Sequence, residues 1–371
     1  MSTAPEVALV PRRSPFQTRH RSGRSPKLAA LRFAFVVVAL LAAGLSSIRS
    51  PDPAPVDVHE QSTRPGDDDV ATRPFSPNSF WNTPLPDDVA ADPEDQQLVS
   101  NFNEQWKTYY GGVGINVDLY SISTYRVPAD TPRTRVAITD GCSNDPGLRE
   151  QLSSVPIPAG ARPAKGSDHS LVIWQPSTDT SWELWQAHES DDGRWSACWG
   201  GRITSVSRSN GVFPAPYGLS ASGLSYLGGT IKARELEAGH IDHVIAVNVV
   251  ETTAGVEVPP ANRNDGKSSS AIAIPEGTRF RLDPRIDVTK LDLSPVAVTV
   301  ARALQRYGMV VADTAGAVVL MAEDAQPFLA AGLPNPYEAL FAGTPSYSVL
   351  EGMPWSRLQV VPPDRESQPG S

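Results

Sequence analysis

Leu171-Val172-Ile173-Trp174-Gln175-Pro176-Ser177-Thr178-Asp179-Thr180-Ser181-Trp182-Glu183-Leu184-Trp185-Gln186-Ala187 sets two apolar runs on either side of a turn-forming segment. Residues 171–175 and 182–187 read as strands, because branched and aromatic side chains suit a pleated surface, and 176–180 as a five-residue hairpin turn. Side chains alternate along a strand, so Glu183, Trp185 and Ala187 share one face and Trp182, Leu184 and Gln186 the other. A turn centred on Thr178 places His169 on the Glu183 face.

Outward from this hairpin, 241–250 and 278–282 read as further strands, and 309–313 with 317–322 as a hairpin around Thr314-Ala315-Gly316. Asp92-Pro93-Glu94-Asp95 starts a helix whose stripe is Leu98, Phe102 and Trp106, stopped at Gly111-Gly112. Ser294-Pro295 starts a second, burying Val296, Val300, Leu304 and Tyr307 before Gly308. The chain has 35 prolines and 28 glycines in 371 residues, which favours short strands and turns over long helices. The expected fold is mainly β: an antiparallel β-sandwich or jelly roll, one domain over 78–362 with two or more peripheral helices.

Ahead of it, residues 1–50 carry eight Lys/Arg and one acid, about +7, so with a net charge of −9 the remainder sums to about −16. So acidic a globular part repels phosphate backbones, which excludes nucleic acid as a partner. The basic segment 1–32 precedes an apolar run at 33–48, read as a transmembrane signal anchor or a signal peptide. The positive flank places the C-terminal domain outside the cytoplasm: a single-pass membrane protein, or a secreted one if the run is cleaved. Residues 49–77, rich in proline and aspartate, form a linker, and 363–371 a disordered tail. Outside the cytoplasm the two cysteines, Cys142 and Cys198, are expected to form a disulfide.

Residues 167–263 hold five of the eight tryptophans and most of the chain's candidate chemistry. Glu183 beside tryptophans is partly desolvated, which raises its pKa toward a useful acid. It is the first catalytic candidate, followed by His169, Asp168, Glu235 and His243. Against this, a glutamate is often one half of a surface ion pair, and His243 shares its face with Ile241, Ile245 and Val247, as a core histidine does. Trp182, Trp185, Trp195 and Trp199 are candidate sugar platforms. Arg263 is a candidate clamp for an anionic group, or the partner of a nearby acid. His240-x-x-His243 diverges on a strand and has no glutamate placed as in a zinc helix, so no metal is expected. Gly-rich residues 218–229 match no phosphate loop, so no nucleotide and no cofactor is expected either.

His169, Trp182-Glu183-Leu184-Trp185, Trp195-Ser196-Ala197, Ala221-Ser222-Gly223-Leu224, Glu235-x-x-x-Gly239-x-Ile241-x-His243 and Tyr307-Gly308-Met309-Val310-Val311-Ala312-Asp313-Thr314-Ala315-Gly316 together resemble a family of exported bacterial proteins with no established activity. The resemblance covers about residues 165–320 and departs at Pro260-Ala261-Asn262-Arg263, at His240 and at Asp242. It implies where a site lies and gives no substrate.

The expected function is action on a cell-envelope or extracellular polysaccharide, as a glycoside hydrolase or polysaccharide lyase. The alternatives are a non-catalytic wall- or glycan-binding module and a structural envelope protein.

Overall fold

The computed structural model describes residues 73–86 and 95–363, all within one compact unit, Gln61–Ser371. The basic segment, the apolar run, most of the linker and the capping residues expected at 92–94 lie outside the described residues. Among the described residues no helix is long and apolar enough to cross a membrane.

Strand outweighs helix narrowly, 26% to 22%, in several sheets that do not close. The largest has six strands, in the order Gly114–Asn116, Val319–Met321, Ile245–Val249, Met309–Thr314, Arg279–Leu282 and Leu358–Val361. Ile245–Val249 lies at its heart and is buried throughout. Ile245, Val247 and Val249 pack on one side with Phe102, Val300 and Leu304, from the helices Asp95–Thr108 and Pro295–Arg306. Val244 and Ala246 pack on the other side. A strand buried on both faces reads as a continuous apolar run, and such strands occupy sheet centres.

The helix Pro295–Arg306 forms as its sequence predicts. The Ser294 hydroxyl accepts from the Ala297 N–H at 3.0 Å, and Gly308 ends it at φ +77°. Val296, Val300, Leu304 and Tyr307 are all buried.

A four-stranded sheet runs Ser123–Arg126, Leu171–Gln175, Thr180–Trp185, Trp199–Thr204, and a three-stranded one pairs Val136–Ile138, Trp195–Ala197 and His188–Glu189. The first contains the expected hairpin. Leu171, Ile173, Trp182 and Leu184 point into a core shared with Leu148 and Trp195. Val172, from the opposite face, joins Ala246, Val310 and Ala312 of the six-stranded sheet in a second core.

Three expectations change. The sheets are mixed, not antiparallel: Met309–Thr314 runs parallel to Ile245–Val249, and Ser123–Arg126 parallel to Leu171–Gln175. The strands Met309–Thr314 and Val319–Met321 do not form a hairpin, because the apolar strand Ile245–Val249 inserts between them and pairs with both. The 171–187 turn is centred between Ser177 and Thr178, since Pro176–Thr178 makes a 3₁₀ turn and Asp179 takes φ +50°. Glu183 therefore pairs with Val172, and the half-residue shift moves His169 off the Glu183 face.

Cys142 and Cys198 are disulfide-bonded, with Cα atoms 5.1 Å apart. Closing a loop of about 57 residues contributes about 4 kcal/mol in the chain-entropy model.

Candidate functional site

The pleat that sends Val172 and Glu183 into the second core also sends Trp185, two residues on, to the rim between the two sheets. There a cavity of about 960 Å³ opens. One wall carries Trp185, Trp199 and Asp168. Trp199 stacks on Tyr217 with ring centroids 6.1 Å apart, and the Trp185 indole N–H faces Asp168 Oδ1 at 3.4 Å. Asp313, Asp265, Asn248, Tyr226 and Arg263 also line the cavity.

Asp313 is placed there by a β-bulge. Val311 pairs with Val247, but the next pairing is Asp313 with Asn248, so one extra residue sits in the Met309–Thr314 strand. A bulge re-aims the side chain beside it. Asp313 Oδ2 accepts from the Ala221 N–H at 2.9 Å, and Oδ1 from the Thr314 N–H at 2.8 Å. Burial, with Asp265 and Asp168 near, pushes its carboxyl up to about 7 against those two bonds. Glu276, fully buried behind the wall, is pushed up to about 9 by burial and by Asp313 and Asp265.

One carboxyl oxygen from each of Asp265, Glu276 and Asp313 lies within 4.8 Å of the others. Three carboxyls this close cannot all ionise without a compensating charge, so the cluster suits proton transfer or cation binding. Burial and Asp313 hold the Tyr226 phenol well above its ordinary value, so it stays a hydrogen-bond donor beside them.

The other expected residues fall elsewhere. Glu183 is sealed from solvent under the rim, where Oε1 accepts from the Ser225 hydroxyl at 2.5 Å and the Leu227 N–H at 3.1 Å. It pins the turn that presents Tyr226 and does not line the cavity. His169 is exposed at φ +41° and also outside it. Glu235 and His243 form a buried pair, Nε2 to Oε2 at 3.2 Å, while His243 Nδ1 meets the Val244 carbonyl at 2.8 Å. They too lie away from the cavity wall.

Trp182 and Trp195 are core residues, 2% and 5% exposed, so their faces are closed to a sugar. Arg263 does reach the wall, but its fork is turned to the backbone. Nε donates to the Ala221 carbonyl at 2.8 Å, and its two other nitrogens donate to the carbonyls of Tyr217 and Ser220. It braces the 217–221 loop and leaves no open bidentate face for an anion.

The chain matches no protein-family model, no curated protein and no solved structure.

Of the residues expected from sequence, the cavity thus gathers Asp168, Trp185, Trp199 and Arg263. It adds Asp265, Asp313, Tyr226 and Asn248, which sequence reading did not name as candidates. Asp313 carried two usable signals, a carboxylate ending the buried run Met309-Val310-Val311-Ala312 and a place in the stretch that carries the family resemblance. Asp265 and Glu276 carried none, since each looks like an ordinary loop or strand-end acid.

Proposed function

We propose that this chain is an exported cell-envelope protein that holds a polysaccharide in the cavity between its two larger sheets and acts on it as a carbohydrate-active enzyme, hydrolase or lyase. The observation that carries this reading is one cavity lined both by the indoles of Trp185 and Trp199 and by the carboxyls of Asp265 and Asp313. Indole faces stack on the apolar face of a sugar ring, and carboxyls bond its hydroxyls and move protons. The volume is at the upper end of small-molecule sites, room for several sugar rings. We read the two sheets on a shared core as a distorted sandwich, and the segment 33–48 as its membrane anchor or export signal.

A second reading, a non-catalytic glycan-binding module, is favoured by the placement of Glu183 and His169 outside the cavity. The two share a binding surface and differ in turnover.

Affinity electrophoresis against neutral and uronic-acid polysaccharides tests the shared part. The wild type is expected to be retarded by at least one of them. Trp199→Ala is expected to weaken that retention about tenfold or more, the usual cost of truncating an aromatic anchor. Release of reducing ends or unsaturated sugars from the retained glycan then selects the enzyme over the module. Retardation by none of the glycans would remove the proposal.

A further inference from the structure

The acidic end of the cavity supports an inference beyond carbohydrate binding. Asp265 comes from the loop between the paired strands Thr252–Glu257 and Ile274–Glu276, Glu276 from the end of the second, and Asp313 from the bulged central strand. The three arrive from separate segments at different depths, exposed, fully buried and half-buried in turn, and their nearest carboxyl oxygens gather within 4.8 Å.

Protein charge balances the arrangement only in part, since among the described residues Arg263 is the one cation near both Asp313 and Glu276. Among the described residues, none of the salt bridges involves any of the three. Arg263 is near, yet three of its N–H groups are directed to backbone carbonyls. Glu276 supplies the second, independent observation. It has no solvent exposure; Oε1 receives a long 3.3 Å contact from the Thr252 hydroxyl, Asp265 is its other hydrogen-bonding neighbour, and Oε2 is buried without a donor in hydrogen-bond geometry. A buried carboxylate oxygen left unpartnered costs several kcal/mol, and such oxygens are as a rule bonded or metal-bound.

We infer that Asp265, Glu276 and Asp313 form a binding site for a hard divalent cation of the calcium class. Oxygens ligating calcium at about 2.3–2.6 Å cannot stand more than about 5 Å apart, and these three satisfy that limit. The cluster offers oxygen alone, with no imidazole or thiolate, which disfavours zinc and copper. Its ligands straddle a loop and a sheet, and calcium's flexible, irregular coordination tolerates such a set more readily than magnesium's strict octahedron. The sequence reading expected no metal on the strength of the His240-x-x-His243 spacing, and no local spacing joins residues 265, 276 and 313. A cation here faces the cavity, where hydroxyl or carboxylate oxygens of a bound glycan can complete its shell. The site stands on its own carboxylates, whichever reading of the cavity holds.

Isothermal titration of the chelator-treated full chain with calcium chloride tests it, with magnesium, manganese and zinc in parallel. The expected result is one saturable calcium site. Asp265→Asn and Glu276→Gln are each expected to weaken it at least tenfold, with near-UV circular dichroism showing that the fold persists. If Glu276→Gln does not fold, Asp265→Asn, an exposed position, decides alone. No saturable calcium binding, tighter binding of zinc or magnesium than of calcium, or unchanged affinity in Asp265→Asn would each overturn the assignment. Because the titration contains no glycan, failure of the polysaccharide reading leaves its outcome intact.

Discussion

Raising the pH from 5 to 8 is expected to remove about 5 kcal/mol of stability through Glu183 and Glu323 alone, two buried carboxyls that fold as neutral acids. Burial pushes Glu183 from 4.5 to about 7, opposed by bonds from Ser225 and Leu227. Burial likewise pushes Glu323 to about 7, opposed by Lys232. A folded-state pKa raised above the unfolded one stabilises fully below the unfolded value and is lost as pH rises through the folded value. The loss therefore falls between about 4.5 and 7. Each shift of about 2.5 units corresponds to about 3 kcal/mol. Of a typical total of about 5–15 kcal/mol that is a large share, and Tm should fall by about 10 °C or more.

Glu183→Gln copies the neutral acid. It should match the wild type at pH 5 and exceed it by about 3 kcal/mol at pH 8 in urea unfolding. A variant less stable than the wild type at pH 8 would mean that Glu183 folds as an ionised carboxylate.

The second large effect has the opposite sign in pH. Glu235 sits in the short helix Ala233–Ala238, where its Oε2 accepts from the Lys232 N–H at 2.8 Å and meets His243 at 3.2 Å. Burial acts to raise its pKa, but His243 and Lys232 outweigh it and hold the carboxyl at about 2. A depressed folded-state pKa stabilises above the unfolded value and is lost as pH falls through the folded one, here between about 4.5 and 2. Glu235→Gln at neutral pH leaves a buried imidazole facing an amide. Breaking one side of a buried pair costs about 3–5 kcal/mol, so Tm should drop by about 6–15 °C. Glu235→Gln combined with His243→Gln should recover part of that loss, since no imidazole is then buried facing an amide. A single-variant cost below about 1 kcal/mol would mean that the Glu235–His243 contact contributes little to stability.

What the sequence made legible follows the range of the signal. Alternation along 182–187 placed Trp182 and Leu184 against Glu183 and Trp185 correctly, because the pleat is local. The helix at Ser294-Pro295 was legible for the same reason: its cap and first turn are neighbours in the chain. His169 was misplaced by half a residue of turn geometry, a consequence of Asp179 adopting a left-handed conformation that composition does not reveal. The strand at 245–249 was legible as a strand, but its insertion between 309–314 and 319–321 is a pairing choice made at long range. The acidic cluster lies further still from view. It depends on one bulge at Val311-Ala312-Asp313 and on a loop that returns Asp265 to Glu276, and neither leaves a motif. The tryptophans show the limit most plainly. All four looked alike as platforms, yet Trp182 and Trp195 are buried in the inner core while Trp185 and Trp199 are half-buried and line the cavity, Trp199 also packing against that core.

That division among four tryptophans supplies the most direct measurement of the central claim. Hydroxyl-radical footprinting of the full chain, with and without the polysaccharide that retards it most, reads the exposure of each indole by mass spectrometry. The cavity reading predicts protection of Trp185 and Trp199 on adding glycan, and no change at Trp182 and Trp195, which are buried from the start. Protection confined to another surface, with Trp185 and Trp199 oxidised at the same rate in both samples, would contradict it.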